Sequence, residues 1–316
     1  MPQINTANRN QYALITGGTS GIGYELARNF AKDGYNLILV ARNKNLLQQT
    51  TDELKQQFGV EITPLAEDLF DKNAAERVYN KTKEMGIEVN VLVNNAGQGE
   101  WGPFVETDLQ RDLDIVQLNI SSLVSLTKLF LRDMVARNEG KILQVGSEAG
   151  TAPGPLLATY SATKAFVISF SVALSDELRD TNITVTVLLP GATDTDFFHK
   201  AGQEDTVTYR EKSLLSPEEV AKDGYDALMK GESKIISGAK TKMHVFMSDM
   251  LGAKASAKNM RKQNELSDKA PDEGRRQATH EASKREREQI NEQNNAGDGD
   301  YMSKSKEKQP KESFHK

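Results

Sequence analysis

Residues 12–23 read Tyr12-Ala-Leu-Ile-Thr16-Gly17-Gly18-Thr19-Ser20-Gly21-Ile22-Gly23, and this stretch decides the fold. A short β-rich run, Tyr12–Thr16, ends in a glycine cluster, and a helix-forming stretch near 22–33 follows. Strand, glycine turn and helix in that order open a unit of parallel strands joined by helical crossovers. The glycines permit a tight turn and let backbone amides approach a pyrophosphate, and the helix N-terminus adds unpaired N–H groups and a favourable dipole. Gly17, Gly21 and Gly23 carry that task. Their spacing, Gly-x3-Gly-x-Gly, differs from the common Gly-x-Gly-x-x-Gly, and a glycine cluster alone also suits a plain strand–helix turn. Its place after the first strand of an α/β chain favours dinucleotide binding.

Outward from the loop the alternation continues. Apolar runs at Asn36–Ala41, Glu61–Ala66, Val89–Asn94, Lys141–Val145, Thr184–Leu189 and Lys234–Ser237 predict strands. Helical candidates lie near 44–57, 72–85, 106–137 (as two helices), 158–180 and 217–229. Several strand runs are continuously apolar, as expected where both sheet faces are covered. The expected fold is a doubly wound parallel α/β sheet of about seven strands with helices on both faces. The second strand ends Leu39-Val40-Ala41-Arg42-Asn43, with no carboxylate to bind an adenosine ribose diol. A guanidinium there can pair with a 2′-phosphate, so Arg42 favours NADP(H) over NAD(H). A solvated arginine ending a strand is the plainer alternative.

The 316 residues contain no cysteine, which excludes disulfide scaffolds, thiolate nucleophiles and Cys-ligated metal. His199, His244, His280 and His315 are scattered without ligand spacing, so no metal is expected. A net charge of −5 argues against nucleic-acid binding. No uninterrupted run of about 18 apolar residues is seen, so no membrane span or membrane partner is expected. The polar start, residues 1–10, lacks the apolar core of a signal peptide, and a cytoplasmic protein is the expectation. Composition shifts near 252: residues 261–316 carry 13 basic and 12 acidic side chains. Such a segment buries too little apolar surface to offset its ordering entropy. The expected organisation is a polar extension over 1–10, a catalytic domain over 11–251, and a charged, disordered or partly helical tail over 252–316.

Tyr160 and Lys164, four apart at the start of a long helical stretch, share one helix face. A phenol ordinarily ionises near pH ~10, and a neighbouring ammonium lowers that value, tuning Tyr160 for proton transfer. Taken alone, such a pair is usually ordinary helix surface. Ser147 ends the predicted strand Gln144-Val145-Gly146-Ser147, and strand carboxyl ends are where doubly wound folds place ligands. Its hydroxyl could hold a substrate carbonyl, although a strand-end serine also forms turns. Asn119 interrupts an apolar helical run, as a helix irregularity or a satisfied core amide.

Together these residues resemble the short-chain dehydrogenase/reductases in their single-domain form of about 250 residues, over roughly residues 10–250. The Thr16–Gly23 loop, with Thr19, Ser20 and Ile22 beside the glycines, is similar to that family's cofactor motif. Asn94-Asn95-Ala96-Gly97 resembles its fourth-strand motif, and Asn119, Ser147, Tyr160 and Lys164 match its catalytic tetrad in order and spacing. Pro190-Gly191 with Thr193 resembles the motif that closes over the nicotinamide carboxamide, and Asp68 matches the position that contacts adenine. Residues 214–251 look like a bacterial, NADP-preferring subgroup of reductases. The resemblance implies a Rossmann-like fold and hydride transfer between NADP(H) and a carbonyl or alcohol substrate. Ser147 would hold the substrate oxygen and Tyr160 would act as acid/base. Lys164 would lower the Tyr160 pKa and bind the nicotinamide ribose, and Asn119 would hold a relay water. A homodimer or homotetramer through the helices at 106–137 and 158–180 is implied too. Residues 98–104, 148–159 and 192–215 should rim the substrate pocket, with Trp101, Phe104, Leu156, Leu157, Phe197 and Phe198 as candidate apolar contacts. The alternative is a catalytically idle NADP(H)-binding module that senses cofactor and docks partners. The four matched tetrad positions weigh against it.

Overall fold

The strand runs pair in the order their apolarity requires. In the computed structural model, which describes residues 8–269, seven strands form one sheet. They are β1 Tyr12–Thr16, β2 Asn36–Ala41, β3 Ile62–Ala66, β4 Val89–Asn94, β5 Gly140–Val145, β6 Ile183–Leu189 and β7 Lys234–Ile236, in spatial order β3-β2-β1-β4-β5-β6-β7. Every pairing is parallel. Along β1 and β2 alternate residues serve opposite cores: Ala13, Ile15, Leu37 and Leu39 on one face, Leu14, Ile38 and Val40 on the other. The first face is covered by α1 Gly21–Lys32, α2 Lys44–Phe58 and a later helix, Pro217–Lys230. The second is covered by α3 Ala74–Glu84 and by the helical run Leu109–Arg137. Strand order reverses between β1 and β4, and a crevice for a ligand opens at that switch point.

The region 106–137 holds the two expected helices, joined without a break by a π-turn. It comprises α4 Leu109–Val116, a π-turn at Gln117–Ser121 and α5 Ser122–Arg137. By length and composition it is apolar enough to cross a membrane, which the search for uninterrupted apolar residues missed. Its Leu118, Leu126, Phe130 and Met134 are buried against the sheet, the ordinary cause of such apolarity in a core helix. The run 158–180 forms α6, Ala158–Glu177. Two short helices not anticipated from sequence, α7 Phe197–Ala201 and α8 Val207–Glu211, interrupt the loop after β6, and α9 Pro217–Lys230 follows.

The expected boundary at 251/252 is displaced. The last helix, α10 Ala239–Asn264, bends at Gly252, where the backbone leaves helical geometry, and continues for another twelve residues. Its second half docks on the domain. Trp101 Nε1 donates to the Asn264 carbonyl at 2.7 Å, and Asn264 Nδ2 donates to the Pro155 carbonyl at 2.9 Å. Beyond it, Thr206 and Leu266 form an antiparallel bridge. Charge counting could not register a docking made by one buried asparagine, one indole and backbone bonds. Residues 270–316 of the expected tail, and residues 1–7 of the N-terminal extension, lie outside the described residues.

Candidate active site

The phosphate loop is built by mutual bracing. Asn95 Nδ2 donates to the carbonyls of Thr16 (3.0 Å) and Gly17 (3.1 Å), while the Thr16 hydroxyl accepts the Asn95 and Ala96 N–H groups, each at 3.0 Å. The loop after β4 thus holds the loop after β1. Gly17 takes φ +67°, and a Cβ on Gly23 would lie 2.1 Å from the Gly17 carbonyl oxygen. These two positions admit only glycine without rebuilding the turn. Ser20 caps α1 without a side-chain cap bond, and the first turn holds no acidic residue, so its N–H groups are free for an anion.

One cavity of about 640 Å³ runs from this loop across the carboxyl edge of the sheet. All the residues expected to bind cofactor line it: Gly17, Thr19, Ser20, Gly21, Ile22, Gly23, Arg42, Asp68, Asn95, Ala96, Gly97, Pro190, Gly191 and Thr193, with Tyr160 and Lys164. Ser147 lines it as well. Arg42 stands half-exposed at one end, its guanidinium 4.9 Å from the Phe70 ring centroid and 4.0 Å from Asp68 Oδ1. The glycine cradle, the amide-rich helix start and the cation at the β2 end fit a dinucleotide, and no side chain fills the space between them.

At the other end, the N-terminal turns of α6 present Tyr160 and Lys164 on one face, opposite Ser147 at the end of β5. Both α6 residues are buried, at 9% and 5% exposure. The Ser147 hydroxyl hydrogen-bonds the Tyr160 phenol and also accepts the Ala149 N–H at 3.1 Å. Lys164 Nζ donates to the Val145 carbonyl at 2.8 Å and stands 5.8 Å from the centre of the Tyr160 ring. Burial dominates both titrations. It pushes the Tyr160 phenol up to about 12, opposed by the Ser147 hydrogen bond, and pulls the Lys164 ammonium down to about 8. The expected depression of Tyr160 by Lys164 is therefore corrected: desolvation wins, because the ammonium addresses a carbonyl rather than the phenol.

Asn119 lies just behind the cavity wall: a Cβ on Gly97, which lines the cavity, would meet Lys164 Nζ at 3.2 Å and Asn119 Oδ1 at 3.3 Å. It sits in the π-turn and does not line the cavity. Its Oδ1 accepts the Gln98 N–H at 3.0 Å, and its Nδ2 donates to the Gln98 carbonyl and to Thr163 Oγ1, both at 2.9 Å. Thr163 in turn donates to the Tyr160 carbonyl at 2.7 Å. The Asn119 side chain is thus engaged by protein groups, tying the loop after β4 to the turn carrying Tyr160; it is a positioning residue. π-Turns often mark functional sites.

Of the candidate apolar contacts, Leu157, Phe197 and Phe198 line the cavity. Trp101 packs beside Leu157 and Tyr160 without lining it, Phe104 is 65% exposed, and Leu156 takes a left-handed φ of 66° away from the lining. Glu148, the first residue of an expected rim segment, lines the cavity; sequence reasoning missed Met260, Gln263 and Asn264, which line it as well. Burial raises the Glu148 carboxyl pKa, and Lys212 opposes that shift. Met260, Gln263 and Asn264 come from the segment that composition assigned to a tail.

A family model described as short chain dehydrogenase matches residues 11–206. The very-long-chain 3-oxoacyl-CoA reductase of Laccaria bicolor is 44% identical over 183 residues, 57% of this chain and 54% of that protein. The protein of the same name from Homo sapiens is 39% identical over 187 residues, 57% of this chain and 58% of that one. The matched stretch thus spans little more than half the length of these curated relatives. A solved short-chain dehydrogenase from Sphingobium yanoikuyae in complex with NADPH superposes with a TM-score of 0.68 at 28% identity, over 82% of this chain and 99% of that chain. A 7beta-hydroxysteroid dehydrogenase structure, covering 82% of this chain and 99% of its own, gives a TM-score of 0.72 at 22% identity and speaks to the fold alone.

Proposed function

The chain belongs to the short-chain dehydrogenase family, and from that premise we propose that it reduces a ketone carbonyl on an extended apolar substrate with NADPH as cofactor. The observation that carries the proposal is the meeting of Ser147, Tyr160 and Lys164 at one end of the cavity whose other end is the phosphate loop. Bound nicotinamide would supply the hydride. The Ser147 hydroxyl would hold the substrate oxygen, and the Tyr160 hydroxyl, kept protonated by burial, would donate its proton to that oxygen as the negative charge develops. A phenol pushed up to about 12 holds that proton at neutral pH. Lys164 lies close enough to reprotonate Tyr160 through an intervening hydroxyl or water, and to bind the ribose.

NADP(H) preference rests on Arg42 and on the absence of a carboxylate at the β2 end. The substrate class rests on the apolar wall of Leu157, Phe197, Phe198 and Met260 and on the names of the relatives; a 3-oxoacyl thioester is the first candidate. Self-association through α4–α5 and α6 is part of the same proposal, with Leu113, Phe166 and Val172 exposed on those helices. The test is NADPH oxidation against a panel of aldehydes, ketones and 3-oxoacyl-CoA of increasing chain length. Turnover that rises with chain length supports the reading. NADPH binding without turnover on any member would instead support the idle binding module.

A further inference from the structure

We propose that the first half of α10 is an interfacial helix that lays the protein on an anionic lipid surface beside the mouth of its cavity. Thr241 and Val245 fix the buried side of this helix. On the opposite side Met243, Phe246, Met247, Met250 and Leu251 stand at the one-turn spacing of a single stripe. Met243, Phe246 and Met250 are 66%, 63% and 70% exposed. Isolated exposed apolar residues need no explanation, but a contiguous stripe of five marks a contact surface. By helical geometry Lys242 borders the stripe on one side and Lys240 stands at its N-terminal end, and both are exposed.

Charge selects the occupant. The chain carries a net −5, yet the first half of α10 holds Lys240 and Lys242 against Asp249, and the half beyond the bend adds Lys254, Lys258, Arg261 and Lys262 with no acidic residue. Methionine, phenylalanine and leucine on one face with lysines at its edges is the pattern of a helix lying in a headgroup region. This proposal departs from the expectation of no membrane partner, which rested on the lack of a spanning apolar run and took no account of a helix lying flat.

The stripe adjoins the site. The same helix half places Thr241 against Gly191 and His244 at 3.9 Å from Glu148, and after the bend at Gly252 it supplies Met260, Gln263 and Asn264 to the cavity. A surface-bound molecule would therefore present its cavity mouth near the lipid. The docking itself does not depend on the enzymatic proposal.

The test is co-sedimentation of the full chain with vesicles of phosphatidylglycerol and phosphatidylcholine, compared with phosphatidylcholine alone. Binding to the anionic vesicles only, weakened by salt, is expected. Lys240→Glu with Lys242→Glu should weaken it by more than an order of magnitude, at about fivefold per lysine. Phe246→Ser with Met250→Ser should abolish it while the unfolding midpoint stays in place. Three results would overturn the proposal: no binding to anionic vesicles, equal binding to both vesicle types, or a wild-type dimer that the Phe246→Ser/Met250→Ser pair converts to monomer in ultracentrifugation.

Discussion

Replacing Lys164 by methionine should stabilise the cofactor-free protein while abolishing its activity. Burial lowers the Lys164 pKa from an ordinary 10.5 to about 8, a difference worth about 3 kcal/mol at ~1.36 kcal/mol per unit. For a base whose pKa is lowered on folding, the unfolded chain holds more protons between the two values, so stability rises with pH across that window. Below pH ~8 the folded state carries the whole penalty; by pH ~9.5 linkage leaves roughly 1.4 kcal/mol of it. Methionine has a similar length and no charge, so its variant carries no such penalty. It leaves the Val145 carbonyl without its donor, at a cost of about 1 kcal/mol. The variant should therefore exceed wild type by about 2 kcal/mol near pH 6.5, and the advantage should shrink by about 2 kcal/mol near pH 9.5. Urea unfolding of both proteins at the two pH values, with cofactor removed, measures it. A difference that is the same at both pH values, or a variant less stable than wild type near pH 6.5, would refute the claim that desolvation governs this pair.

Arg42→Ala should weaken NADPH binding by roughly tenfold to a hundredfold, the scale of a lost charge-assisted hydrogen bond, with NADH binding unchanged; fluorescence titration of both cofactors checks it. Asn264→Ala removes the bond to the Pro155 carbonyl at a buried site, and should lower stability by about 1–2 kcal/mol. It should also speed proteolysis within residues 253–269, followed by limited digestion, whereas a freely solvated tail would show neither change.

The sheet was legible because several of its strands are continuously apolar and its first strand runs into a glycine cluster. β1, β2 and β4 begin and end where the apolar runs do, since burial on both faces keeps polar residues inside a run few. The site was legible where chemistry fixes residue type at short range: Gly23 against Gly17, and Tyr160 a turn from Lys164. It was not legible where a role depends on contacts distant in sequence. The Asn119 amide is consumed by Gln98 and Thr163, 21 and 44 residues away. Nothing local to Asn119 says so. The titration of Tyr160 was misjudged for a related reason. Spacing placed an ammonium nearby but could not say that it would turn to the Val145 carbonyl, nor how dry the pocket would be. The second half of α10 escaped because its composition is polar; Asn264, bonded to Trp101 163 residues away, and Gln263, bonded to Thr208 and Lys212, anchor it where charge counting saw only solvent.

The central claim is that the Tyr160 hydroxyl delivers a proton to the oxygen of a carbonyl reduced in this cavity. Single-turnover reduction of a ketone found in the substrate panel, with NADPH deuterated at C4, compares wild type with Tyr160→Phe most directly. The account predicts deuterium on the product's carbinol carbon in wild type. It predicts a rate loss of about 10²–10⁴ in the variant, the usual scale of acid–base catalysis, with NADPH affinity retained. A variant that transfers deuterium at the wild-type rate would contradict it.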